Sequence, residues 1–159
     1  MDKKLGELLD LERAAQKAVD DLVSLKLLDS GEKDEAKEIQ DEANSHEEKL
    51  LEVVNHLAND EETKIDIQTV NQTAKETEKK ATQIMKTYLG ENPDVSEGLE
   101  FLCLAKGGEV AHYEVLNVIS KKFNNKKLRI SVRSILRQER AHLTICPDMA
   151  REAVSFSQV

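Results

Sequence analysis

Residues 131–146 read SVRSILRQERAHLTIC. Val132, Ile135, Glu139, His142 and Cys146 recur at alternating steps of three and four, the period that brings side chains onto one face of an α-helix. That face is apolar at both ends and carries an acid and an imidazole in its middle. Burying an unpaired charge is expensive, so a stripe of this kind predicts a helix and also asks what partners its ionisable residues find.

Working outward, the rest of the chain divides by the same period. Ser131 is the expected cap of this helix, and Pro147 is expected to kink or end it, leaving a short C-terminal extension. Upstream, a break at Gly90 to Pro93 and a capping box, Asp94 with Glu97, open a fourth helix over 96–123. Gly107-Gly108 inside it predicts a kink or a close backbone approach. A third helix over 61–89, opened by Asn59 with Glu62, is thinly apolar (Ile67, Val70, Ala74, Ala81, Ile84, Met85) and is expected to be more exposed than its neighbours. The second, 33–58, has the stripe Ile39, Ala43, His46, Leu50, Val53 and Leu57. The first, 4–28, has Leu5, Leu8, Glu12, Ala15, Val19, Leu22 and Val23, and stops at Asp29-Ser30-Gly31. Short connections between helices one and two, and four and five, predict two antiparallel hairpins joined by a long crossing segment: an all-α bundle in a single domain, 1–159.

Composition supports this and narrows the function. Two Pro, six Gly, no Trp and 34% charged residues in 159 exclude an all-β sandwich or barrel, which needs turn residues every ten or so positions. With 31 acidic against 23 basic residues the net charge is -8, which argues against a general nucleic-acid binder. Met1 to Leu5 enters an amphipathic pattern directly, without an apolar leader or a stretch long enough to span a bilayer, so residence in the cytoplasm is the expectation. Cys103 and Cys146, both within apolar helical stretches, are expected to be buried reduced thiols.

Several ionisable residues stand where the stripes call for hydrophobes. Glu12 is central in the first stripe; His46 is central in the second, with Glu42 one turn before it and to the side. The fourth helix supplies Glu109, His112 and Glu114, and the fifth supplies Glu139-x-x-His142. Carboxylates and imidazoles projecting from four facing helices are what a pair of iron or manganese ions needs, and residues three apart share a side of a helix. The competing reading is a set of hydrogen-bonded Glu and His core pairs with no metal. For the fourth helix, a hairpin centred near Lys126 to Lys127 sets Glu114 level with Glu139, so Glu114 is the preferred ligand, with Glu109 and His112 in reserve. Tyr113 reads as a packing residue and His56 as surface.

The stretch from Gly98 to Leu116, GLEFLCLAKGGEVAHYEVL, with its His112-Tyr113-Glu114, resembles a helix of the YciE/YciF-like stress proteins of the ferritin-like superfamily. Glu42 to Val53 is similar to that family's second helix, and Leu8-Leu-Asp10-Leu11 to its first; Glu139-x-x-His142 also resembles the rubrerythrins more distantly. The resemblance implies a ferritin-like bundle with a dinuclear metal centre, iron first and manganese or zinc as alternatives, often in a homodimer. It also implies work on O2 or H2O2, as a ferroxidase- or peroxidase-like oxidoreductase or in iron handling during stress. Where the family places a glutamate in its first helix this chain has Ala15 or Gln16, with Glu12 one turn away, and the glutamate before His-Tyr-Glu is Ala111. Hemerythrin-like oxygen carriage is disfavoured, because four histidines are too few for its ligation.

From Val115 to Gln138 there is no acid, while Lys121, Lys122, Lys126, Lys127, Arg129, Arg133 and Arg137 form a basic tip. The plain reading is a solvated turn that balances a carboxylate-rich bundle. In the alternative functional reading, the chain is a metal-free helical interaction module that docks a partner through residues 121–137.

Overall fold

In the computed structural model of the chain, which describes residues 1–28 and 30–156, the stripes fold into α1 (Asp2–Ser24), α2 (Ser30–Ala58), α3 (Ile67–Leu89), α4 (Val95–Ser120) and α5 (Lys126–Phe156). The described residues are all-helical in their regular structure. The apolar stripes of α1, α2 and α5 are buried as expected, with the exception of Val23, which is exposed together with Ile67 and Ile84 of α3. Among the described residues no helix is long and apolar enough to cross a membrane.

Helix ends differ from the sequence reading for local reasons. α1 stops at Ser24, short of residue 28, because Lys26 adopts φ 58° and turns the chain. Asp29, part of the expected stop, lies outside the described residues, as do 157–159 of the expected C-terminal extension. The Asn59/Glu62 box does not open α3: the Asn59 side chain turns back to donate to the Asn55 carbonyl, and residues 60–66 are non-helical, with a turn at 61–63. Asp66 is the cap instead, accepting from the Gln68 N–H at 3.0 Å. The Asp94/Glu97 box forms with both of its hydrogen bonds.

Gly107-Gly108 leaves α4 uninterrupted, and no close approach occurs there: a Cβ on Gly107 would make only an ordinary contact with Leu143, at 3.9 Å, and one on Gly108 would meet nothing within 4 Å. The close approach is at Gly6, where a Cβ would come within 2.4 Å of the Val70 carbonyl oxygen of α3. α5 starts five residues before Ser131, capped by Asn125, whose side chain accepts from the Leu128 N–H at 2.9 Å. It also continues past Pro147, carried by the buried run Cys146, Met149 and Ala153.

The pairings fix the direction of each helix. Arg13 with Glu47 and Asp20 with Gln40 make α1 and α2 antiparallel. Glu12 with Tyr113 and Leu22 against Gly98 do the same for α1 and α4. α5 runs against α4 (Cys103 beside Cys146, Arg140 with Glu114) and against α2 (Glu42 with His142, Glu52 with Lys127). α2 and α4 therefore point the same way, and α3, parallel to α1 and packed on it, carries the chain back between them.

Along this assembly two apolar layers alternate with a charged one. Leu5, Leu8, Leu50, Leu57, Leu116 and Ile135 belong to the first apolar cluster, and Val19, Leu22, Ile39, Leu102 and Met149 to the second. Between them in chain position on each helix lie Glu12, His46, Lys106, Glu109, Glu139 and His142, all buried.

Candidate metal centre

His46, at the middle of the α2 stripe, is fully buried. Its Nδ1 lies 2.9 Å from Glu139 Oε1 and 3.5 Å from Glu12 Oε1, and its Nε2 lies 3.2 Å from Gln138 Oε1. Both ring nitrogens thus face oxygen acceptors, an arrangement that suits an imidazolium with two donors. Burial pulls the His46 pKa down, but the hydrogen bonds and charges of Glu12 and Glu139 outweigh it and raise it to about 9. One atom each of Glu12, His46 and Glu139 lie within 4.8 Å of one another, the one such group of His, Cys, Asp and Glu among the described residues.

Lys106 is the second cation of this layer and is fully buried. Its Nζ donates to Glu109 Oε2 at 2.6 Å and to Glu139 Oε2 at 3.1 Å. Burial alone would lower its pKa; the carboxyls of Glu109, Glu139 and Glu12 reverse this and keep it charged. Glu109 is raised well above the usual carboxyl range by burial, against the pull of Lys106. Glu139, despite burial, is held below that range by His142, His46 and Lys106. The consistent assignment is a protonated Glu109 sharing a hydrogen bond with an ionised Glu139, so that His46 and Lys106 answer the charges of Glu12 and Glu139.

Glu12 takes a short hydrogen bond from the Tyr113 hydroxyl at Oε1, while its buried Oε2 has no partner in the chain. Burial and Glu12 push the Tyr113 phenol well above its ordinary pKa, so it donates. On the outer side, His142 Nε2 pairs with Glu42 Oε2 at 2.7 Å, and Glu42 is partly exposed. His142 Nδ1 is buried without a partner, 3.8 Å from Glu139 Oε1.

The fold therefore brings together Glu12, Glu42, His46, Glu109, Glu139 and His142, and leaves out two residues of the expected set. The preference for Glu114 over Glu109 is corrected. The turn between α4 and α5 spans 121–125, nearer the N-terminus than a hairpin centred on 126–127, so Lys106 and Glu109 stand level with Glu139. Glu114 lies partly exposed in an ion pair with Arg140. His112 faces Glu7 at 3.4 Å and Lys4 at 3.3 Å, and burial and Lys4 lower its pKa. Tyr113 is more than packing, since its hydroxyl orients Glu12. His56 is exposed as read. Cys103 and Cys146 are free, and burial with the neighbouring Cys103 pushes the Cys146 thiol up to about 12, which keeps it protonated. Lys106, Tyr113 and Gln138 were missed as members; a lysine at the middle of the most apolar helix was the one signal available.

Oxygen and imidazole donors of this kind suit Fe(II), Mn(II) or Zn(II). The orphaned Glu12 Oε2 leaves ligand capacity unused beside Glu12, His46 and Glu139, a donor group that could hold one metal ion. A second is disfavoured while the Lys106 ammonium occupies the space between Glu109 and Glu139. On α2, the position three before His46 that would complete Glu-x-x-His is the buried Ala43. A cavity of about 320 Å³ between α1, α3 and α4, walled by Leu11, Ala14, Met85, Phe101 and Leu104, reaches Glu109 from the surface. Compared with protein-family models, curated proteins and solved structures, the chain finds no match.

Proposed function

We propose that this chain is a ferritin-like helical bundle of the YciE/YciF-like kind that holds one iron or manganese ion at Glu12, His46 and Glu139. Its work would be iron handling or defence against peroxide in the cytoplasm. The observation that carries the reading is the buried meeting of three donor side chains from three helices, with a carboxylate oxygen left unpartnered among them. The helix directions support it: α1 antiparallel to α2 and α4, and α5 antiparallel to both of these, is the order of two hairpins joined by one long crossover, with α3 as that crossover.

Iron held by Glu12, His46 and Glu139 would supply one-electron redox chemistry toward O2 or H2O2, each turnover drawing its further electron from an external reductant, and carboxylates suit the accompanying change in charge. The chain's own residues set the conditions. The Tyr113 hydroxyl holds Glu12 in one orientation. His46 would have to lose its Nδ1 proton to serve as a ligand, while the Gln138 side-chain carbonyl accepts from the Nε2–H and keeps the ring aligned. Lys106 answers part of the Glu139 charge from the side where the resemblance implies a second metal, and the apolar layers above and below exclude water.

The second reading, a metal-free interaction module, is favoured by the same Lys106: with His46 charged, the layer is balanced without any ion. Equilibrium dialysis of the metal-free chain against Fe(II) without oxygen, and against Mn(II), separates the two. One ion per chain is expected, with at least tenfold weaker binding in Glu12→Gln and Glu139→Gln. Absence of stoichiometric metal in the folded protein selects the metal-free module.

A further inference from the structure

α3 and α4 close on each other next to the turn that joins them, where the Tyr88 and Phe101 rings lie 5.7 Å apart and the Tyr88 hydroxyl donates to Glu100. Further along α4 the contacts pass to α1, with His112 beside Glu7 and Lys4. The two helices thus bound a wedge on α1, and the cavity of about 320 Å³ lies in it. Leu104 of α4 and Ile84 of α3 both line this cavity and are 51% and 55% exposed, so apolar carbon faces water on either side of it. Three ionisable residues share the lining. His112 has Glu7 and Lys4, and Glu109 is buried against Lys106. Lys17 is exposed, and no hydrogen bond or ion pair engages it among the described residues.

We propose that this wedge binds a straight-chain fatty acid of about ten carbons, its tail among Leu11, Met85, Phe101 and Leu104 and its carboxylate on the Lys17 ammonium. The lining decides the class of ligand. Carbon walls with one unpaired cation suit a molecule that is apolar along its length and carries a single negative charge at its end. A phosphate head would find no guanidinium fork, since no arginine lines the cavity. Volume sets the length: at about 30 Å³ per heavy atom, the share a water molecule takes in its liquid, the cavity holds on the order of ten. Because Lys17 is exposed, the carboxylate keeps its contact with water and only the tail is buried, which avoids the cost of desolvating a charge. The net charge of -8 repels an anion from afar, but screening over roughly 8 Å at physiological salt leaves Lys17 as the nearby charge that counts.

Isothermal titration of the full chain in chelator tests this independently of any metal. Decanoate, kept below its micelle concentration, is expected to bind once per chain. From butanoate to decanoate the affinity should rise about three- to fourfold per methylene, and it should level off beyond, where the cavity is full. Lys17→Gln, at an exposed position, should weaken decanoate about fivefold and leave decanol, which has the same tail without the charge, unchanged. Ala14→Phe narrows the cavity and should weaken both more than about tenfold in a chain of unaltered circular dichroism; if that variant does not fold, the levelling with chain length reads the same enclosure. No binding of decanoate at millimolar concentration overturns the proposal. Affinity that still climbs at about fourteen carbons assigns the tail to open surface and overturns the site. Decanoate and decanol that respond alike to Lys17→Gln overturn the carboxylate assignment.

Discussion

Leu50 and His46 lie one turn apart on the same face of α2, both fully buried, yet different forces hold them. Leu50 belongs to an apolar layer in which each contact is weak, undirected and replaceable by another hydrophobe of similar volume. His46 belongs to a layer in which each group is there for one named partner: Glu139 for His46 and Lys106, Tyr113 for Glu12, Glu42 for His142. Loss of a methyl group leaves a void in the first layer. In the second, loss of one member leaves its partner charged and unpaired in a medium that solvates it poorly.

The contrast breaks first at Glu139. In the metal-free chain Glu139→Ala strands two buried cations and is expected to cost about 3 to 5 kcal/mol in urea denaturation. A loss below about 1 kcal/mol would show that water, rather than Glu139, answers those charges. Leu50→Ala is expected to cost about 2 to 4 kcal/mol, from lost burial and a residual cavity, while leaving the number of metal ions bound per chain unchanged. A change in metal content there would mean that the two layers are not separable.

The pH dependence comes next. The folded pKa of His46 is about 9, above the ordinary 6.5, so its stabilisation is complete below about pH 6.5 and is lost as pH rises through 9. In chelator, the metal-free chain should lose up to about 3 kcal/mol across this window, and His46→Gln should flatten the profile. Stability that climbs between pH 6.5 and 9 in the wild type, and does so equally in the variant, would remove His46 from the charge balance. The smallest effect is expected for Lys106→Met. Because Glu109 is already protonated and Met fills the same path, the stability cost is about 1 to 2 kcal/mol. Dialysis is the sharper measurement, with metal capacity rising from one ion per chain toward two as the space between Glu109 and Glu139 opens.

The sequence made the charged layer visible on three helices and obscured it on the fourth, for a physical reason. α1, α2 and α5 are amphipathic, so an acid or imidazole within the apolar stripe stands out, and the interior positions of Glu12, His46, Glu139 and His142 are legible in the sequence. α4 has no polar side to define its stripe by contrast. Without it, the rotation of the helix had to be inferred from the position of the hairpin turn. Asn125, not Ser131, caps α5, and that displacement was enough to exchange Glu109 for Glu114. Lys106 was hidden twice over, by this ambiguity and by the habit of lysine to sit on surfaces. At α3 the box at Asn59 and Glu62 was a sound local signal, outcompeted by Asp66 a few residues on.

The cavity beside α4 has a bearing on traffic. Its walls are largely aliphatic and aromatic carbon from three helices, with Lys17, His112 and the buried Glu109 as its ionisable lining residues. A hydrated ion entering there sheds its water shell with little to replace it, whereas a small uncharged molecule loses almost nothing. The opposite approach, past the partly exposed Glu42 to His142, offers an acid and a ring nitrogen in succession. The two doors therefore sort visitors by solvation: ions are expected from the Glu42 side and neutral molecules from the Leu104 side. Glu42→Ala should slow loading of metal, and Ala14→Phe in the cavity wall should leave loading alone while slowing any reaction with dissolved oxygen.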